Sequence, residues 1–155
     1  MLFGEFLHTL DAKNRVTVPK AITETLGRSP EGALVAFLTA GQDRCLYLFS
    51  EAGFERAHRE LQTRVFAGQA QRAVLRLFFA NTAKVELDSA GRVLLPEKLR
   101  KHAAIERDVV IVGVNDRAEI WAKEHWGAYE ALNQGLLEQI DEVMRDGPAP
   151  PSSGP

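Results

Sequence analysis

The chain is poor in the residues that most chemistry needs. Its single cysteine, Cys45, can form no internal disulfide and no thiolate cluster for zinc. That usage fits a reducing compartment. The four histidines, His8, His58, His102 and His125, show no ligand spacing with one another or with carboxylates, so no metal site is expected. Neither a G-x-x-x-x-G-K-[ST] nor a G-x-G-x-x-G loop occurs, so no nucleotide cofactor is expected either. Cys45 lies in an apolar run, Cys45 to Phe49, where a thiol is ordinarily buried and inert. These absences leave no catalytic constellation, and the expectation is that the protein is not an enzyme. No apolar run is long enough to span a bilayer, and the N-terminus has neither the basic nor the apolar region of a secretory signal. A cytoplasmic protein without a membrane partner is expected. Positive charge is also scarce, because the formal net charge is −2, which speaks against a dedicated nucleic-acid binder.

What the chain does have is repetition. Leu10-Asp11-Ala12-Lys13-Asn14-Arg15-Val16-Thr17-Val18-Pro19 returns as Leu87-Asp88-Ser89-Ala90-Gly91-Arg92-Val93-Leu94-Leu95-Pro96, an L-D-x-x-x-R-V-x-x-P pattern whose anchors keep one offset of 77. The downstream order repeats as well. Each copy continues with a short helical stretch, an apolar run (Leu34 to Leu38; Val109 to Val112), a second short run, and then an aromatic, Phe54 or Trp126, that opens a helix. Each copy thus predicts a strand, a loop, a strand, a short helix and two more strands, with strands before the loops at 6–10 and 83–87. Asn14 and Gly91 hold the same loop position and are the residue types that most readily take positive φ. Pro19 and Pro96 end a strand and suit the first turn of a helix. Gly27 and Gly113 read as element boundaries.

Between the copies, Phe54, Ala57, Leu61 and Val65 have helical spacing, and after a break near Ala67-Gly68 a second helix carries Val74, Leu77 and Phe78 on one face. Arg72 and Arg76 on it are a solvated face or inter-subunit partners. A single helix from Lys123 to about Arg145 is expected to place Trp126, Tyr129, Leu132, Leu136, Ile140 and Val143 in a core or subunit contact. The resulting division is a first repeat with connecting helices over 1–79, a second repeat with a C-terminal helix over 80–145, and a disordered Pro/Gly-rich tail over 146–155.

The repeated loop has two readings. In one, Asp11 and Asp88 accept backbone N–H bonds and pair with Arg15 and Arg92, holding the turns together. In the other, a carboxylate that orients a guanidinium leaves its remaining donors aimed at a phosphate or a guanine edge. Lys13 adds a cation to the first loop, and the second loop adds none. Charge is also uneven: residues 1–80 hold 10 Lys+Arg against 8 Asp+Glu, while residues 81–155 hold 9 against 13. The acidic total conceals a mildly basic half.

The tandem L-D-x-x-x-R-V-x-x-P motif, with a connecting helix from Arg72 to Phe78 just before the second copy, closely resembles the MraZ family of the SpoVT-AbrB superfamily, over residues 2 to about 137. The resemblance implies a mostly β, α+β protein of two tandem AbrB-like repeats, forming a pseudo-dimeric swapped-hairpin β-barrel with flanking helices. It implies a ring-shaped homo-oligomer that binds repeated promoter boxes of double-stranded DNA upstream of a division and cell-wall gene cluster, as a nucleoid-associated transcriptional repressor. Lys13, Asn14 and Arg15 carry over as DNA-binding positions, with Asp11, Asp88 and Arg92 as loop partners. The alternative reading is an antitoxin-like interaction module on a swapped-hairpin barrel.

Overall fold

The computed structural model describes residues 1–61 and 65–145. The proposed disordered tail at 146–155 and the stretch leading to Val65 fall on or beside residues outside that description. Two compact units divide the chain after Lys123, so the strands of both repeats lie in the first unit and the C-terminal helical stretch lies in the second.

In the first unit, β1 (Glu5–Thr9) and β2 (Arg15–Thr17) lead through α1 (Lys20–Thr23) and a two-residue β3 (Gly27–Arg28) to β4 (Leu34–Ala40) and β5 (Leu46–Phe49). Helices α2 (Glu51–Glu60) and α3 (Gln69–Ala80) follow. The second copy then supplies β6 (Thr82–Glu86), β7 (Arg92–Leu94), α4 (Glu97–His102), β8 (Asp108–Val114) and β9 (Arg117–Ala122). The two strands ahead of the loops therefore sit one residue earlier than the sequence predicts, at 5–9 and 82–86, and they keep the 77-residue offset.

The hairpins β4–β5 and β8–β9 pair within their own repeats, whereas the strand ahead of each loop pairs with the other repeat. β1 pairs antiparallel with β8, Glu5 facing Val112, and β6 pairs antiparallel with β4, Thr82 facing Thr39. The two registers are equivalent, since Thr82 lies 77 residues after Glu5 and Val112 lies 73 after Thr39. β5 pairs with β9, joining the copies through Leu46 and Ile120, which completes a seven-stranded sheet ordered β1-β8-β9-β5-β4-β3 with β6 also on β4. That sheet is an open path. β2 and β7 form a separate two-stranded ribbon.

Strand alternation explains why this pairing buries a core. Ala36 and Leu38 of β4, and Val109 and Ile111 of β8, project to one side and join Leu46, Leu48, Ala118 and Ile120. Val16, Val18 and Ile22 from the first copy meet their equivalents Val93, Leu95 and Leu99 in the same cluster. Fully burying one such aliphatic side chain contributes about 1.5–3 kcal/mol, so the matched positions form the main stabilising body. On the other face of β4, Phe37 stacks on Phe54 of α2 at 4.5 Å, and Phe54 stacks on Phe78 of α3 at 6.1 Å. Ser50 caps α2, its hydroxyl accepting from the Gly53 N–H.

Gly113 lies inside β8 and not at a boundary as its sequence context predicts. A Cβ there would fall on the backbone of Leu2 and Phe3, which crosses β8 at this point. The N-terminal segment is held by paired bonds of 2.8 Å between Leu2 and Asn115.

The second unit, described by itself, corrects the single C-terminal helix. α5 (Lys123–Asn133) gives way to a 3-10 stretch over Gln134–Gln139 before α6 (Ile140–Arg145). Gly135 lies inside that stretch, and glycine in a helix interior costs about 0.5–1 kcal/mol relative to alanine. None of its helical residues is buried.

Candidate nucleic-acid interface

The two Asp-x-x-x-Arg loops fold alike because each aspartate answers the backbone of its own turn. Asp11 Oδ1 accepts the N–H groups of Lys13 and Arg15, both at 2.9 Å, and its Oδ2 accepts Arg15 Nε at 2.8 Å. Asp88 repeats this with Ala90 at 3.0 Å, Arg92 N–H at 2.9 Å and Arg92 Nε at 2.7 Å. Asn14 and Gly91 take φ of 60° and 76°, the left-handed turn that the sequence predicts at this position. Lys13, Asn14 and Arg15 therefore share one short turn.

Each loop also reaches its counterpart. The Val18 N–H donates to the Gly91 carbonyl and the Leu95 N–H to the Asn14 carbonyl. Arg15 Nη1 lies 3.8 Å from Asp88 Oδ2, and Arg92 Nη1 lies 3.7 Å from Asp11 Oδ2. Four charges of alternating sign thus form a closed square. All four residues thus hold the two turns together, and both arginine side chains remain about a third exposed.

The square sits on a defined surface. In the β2–β7 ribbon, Val16 and Val93 face each other and are wholly buried, so period-two alternation turns Arg15, Thr17, Arg92 and Leu94 to the opposite face. Leu94 is exposed on that face. A two-stranded antiparallel ribbon is an element that a DNA major groove admits.

The carboxylates of Asp11 and Asp88 are held below the ordinary aspartate value of 3.8, first by the backbone N–H of Arg15 or Arg92 and further by its side chain. A carboxylate depressed on folding adds stability that is complete above its unfolded value and is lost as pH falls through the depressed one. The loops should therefore keep their pairing at neutral and mildly acid pH and lose it only below about pH 4. A carbon-13 NMR titration checks this, since a midpoint at or above 3.8 for Asp11 or Asp88 would mean that the bonded loop is not the solution state.

Cations around the square follow the crossing of the chain. Lys13 is exposed, and among the described residues no ion pair engages it. Its equivalent 77 residues on is Ala90. The second loop is supplied from the first repeat instead: Lys20 and Arg28 line a hollow of about 790 Å³ together with Asp88, Ser89, Ala90 and Gly91. Arg28 Nη1 donates to the Gly32 carbonyl at 2.7 Å, and Lys20 lies 3.9 Å from Glu24. Sequence reasoning missed both residues, because it assigned to each loop only the cations within it. The bond from Val18 to Gly91 is what carries Lys20 to the other loop.

These features define a class: a tandem-repeat β protein that interleaves its two copies to present paired arginine loops on one ribbon. A family model described as "MraZ protein, putative antitoxin-like" matches residues 1–77 and again 78–146. The chain belongs to the MraZ family. It is 41% identical over 146 residues to the Transcriptional regulator MraZ of Carboxydothermus hydrogenoformans, covering 94% of this chain and 98% of that one. It is 42% identical over 141 residues to the protein of the same name from Symbiobacterium thermophilum, covering 91% and 98%. The Acetivibrio thermocellus Transcriptional regulator MraZ shares 38% over 144 residues, covering 93% and 96%. Among the described residues, no helix is long and apolar enough to cross a membrane.

Proposed function

We propose that this protein is a cytoplasmic, nucleoid-associated transcription regulator that binds repeated promoter boxes of double-stranded DNA, acting as a repressor of a division and cell-wall gene cluster. The observation that carries the reading is the outward face of the β2–β7 ribbon, where Arg15 and Arg92 are pre-oriented by Asp11 and Asp88 with Lys13 beside them. Arginines held by carboxylates lose little freedom on meeting a guanine edge or a phosphate. Arg15, with Lys13 and Asn14 in the same turn, is the base-reading side, and Lys20 and Arg28 make the second loop a backbone contact.

The same reading treats residues 1–79 and 80–145 as two halves of a pseudo-dimer, a barrel of exchanged hairpins. The cross-repeat pairings β1–β8 and β4–β6 support it. Several such chains in a ring would present the ribbon repeatedly, so that modest contacts compound on repeated boxes. Selection from a random double-stranded DNA pool tests the function, and no enriched sequence would sink it. On an enriched site, Lys13→Ala and Lys20→Ala should each weaken binding and lower the slope of log affinity against log salt by about 0.9, the value of one released phosphate contact. Unchanged slopes would remove these two lysines from the interface.

A second reading, an antitoxin-like module, draws on the wording of the matched family and on the exposed Leu132, Leu137 and Met144 of the second unit, which could cap a partner. A small toxin gene beside this one would favour it.

A further inference from the structure

The outward face of the β2–β7 ribbon is symmetric in all but one pair of corners. Val16 and Val93 are equivalent positions of the two repeats and face each other, so the relation between the copies runs through that pair. It exchanges Arg15 with Arg92, which are alike, and Thr17 with Leu94, which are not. Leu94 is 56% exposed. Single exposed apolar side chains are common and need no partner, so exposure alone assigns it nothing. Its neighbours are what set it apart. Arg15 stands directly across from it, and Arg92 lies two residues back on the same face of the same strand. The bond from the Leu95 N–H to the Asn14 carbonyl brackets Arg15 and Leu94 as a non-hydrogen-bonded pair. The Cα atoms of such a pair lie about 4.5 Å apart, with their side chains close together.

We infer that Leu94 reads a thymine, its side chain packing on the C5-methyl group at the base pair that Arg15 engages or at the next one. A major groove that admits the ribbon offers the guanidiniums guanine edges and phosphate oxygens, and it offers an aliphatic side chain the thymine methyl. Successive bases of a strand are about 3.4 Å apart, close to the spacing of Arg15 and Leu94, so the two side chains fall on the same or adjacent base pairs. Leucine has no polar atom with which to read hydrogen bonds. Contact with a methyl removes apolar surface from water on both sides, and contact with the polar edge of another base does not. Thr17, at the equivalent corner beside Arg92, carries a hydroxyl that serves either kind of base and makes no such demand. The methyl requirement therefore falls on the Arg15 side alone, which lets a nearly symmetric ribbon distinguish its two orientations on DNA. The inference rests on the DNA-binding reading above and adds a base contact to it.

Deoxyuridine scanning with the full chain tests it. In an enriched double-stranded site each thymine is replaced in turn by deoxyuridine, which lacks the C5-methyl group and keeps every hydrogen-bonding group. The wild type should lose about 4-fold in affinity at one thymine of each box, the effect of burying roughly one methyl group. Leu94→Ala should bind the unmodified site more weakly and show no further loss at that uridine. Leu94→Thr, which installs the strand-favouring residue of the equivalent corner, should shrink the uridine loss as well, so a folding defect in the alanine variant leaves the coupling measurable. A pool that enriches no sequence would overturn the DNA-binding reading and this inference together. A bound site without a methyl-sensitive thymine, or one whose uridine loss is the same in the wild type and both variants, would overturn this inference alone.

Discussion

Arg15→Ala is expected to abolish specific DNA binding while the chain keeps its fold and its assembly. Arg15 and Arg92 make the same internal contacts: Nε to the aspartate of their own loop at 2.8 and 2.7 Å, and Nη1 to the opposite aspartate at 3.8 and 3.7 Å. That equivalence turns Arg92→Ala into a built-in control, because any purely structural loss should be shared by both variants. What the two positions do not share is their surroundings, since the Arg15 loop holds Lys13 where the Arg92 loop holds Ala90. A bidentate arginine contact to a base is worth about 1–3 kcal/mol, roughly 5- to 150-fold in affinity at each engaged loop. The loss compounds where several chains grip successive boxes. Gel shifts of both variants on an enriched site, beside their melting temperatures, decide the matter. Equal losses for the two arginines would reduce the motif to a structural clasp, and unchanged binding by Arg15→Ala would remove it from the interface.

The largest loss of stability is expected elsewhere, at Glu119→Ala. Glu119 is 8% exposed in the middle of β9 and holds four donors, one of them the buried Cys45 thiol at 3.9 Å from Oε2. Its Oε1 accepts Arg117 Nη2 at 2.7 Å and Nε at 3.0 Å, while its Oε2 accepts the Trp121 indole N–H at 3.0 Å. Arg117 in turn lies over the Tyr47 ring at 4.4 Å. Removing one member of a buried ion pair leaves the other charge desolvated, which costs about 3–5 kcal/mol in full burial. Arg117 keeps about a quarter of its side chain in water and a second partner in the Asp116 carboxylate at 3.1 Å, so the low end of that range, about 3 kcal/mol, is expected. For a chain of this size that is a fall of roughly 6–12 °C in melting temperature. Glu119→Gln retains an acceptor and the shape of the side chain, and should lose about half as much. If Glu119→Ala melts within about a degree of the wild type, the cluster contributes nothing measurable.

The loops were legible in the sequence because their chemistry is local. Asp11 and Arg15 lie four residues apart and answer the same turn, and Asn14 or Gly91 marks where the backbone must go left-handed. The strands were legible within a residue or two for a similar reason, since alternation is a local pattern. Partners were a different matter. Nothing in Glu5–Thr9 specifies β8 over β4, because the two offer equally apolar registers and the choice is made by the whole interleaved core. The misread glycine shows the same limit, as Gly113 is demanded by a backbone more than 100 residues earlier in the chain. Lys20 and Arg28 escaped notice for this reason too, being brought to the second loop by a crossing that no local pattern announces.

The pairing of β1 with β8 has a consequence for the order in which the protein is made. Thr9 and Asp108 are 99 residues apart, and their side chains meet at 3.0 Å. At about 5–20 residues per second on the ribosome, β1 emerges roughly 5–20 s before its partner strand exists. During that interval the nascent first half carries a strand whose backbone groups and Phe6 lack their partners, so its fold waits until the second half has emerged.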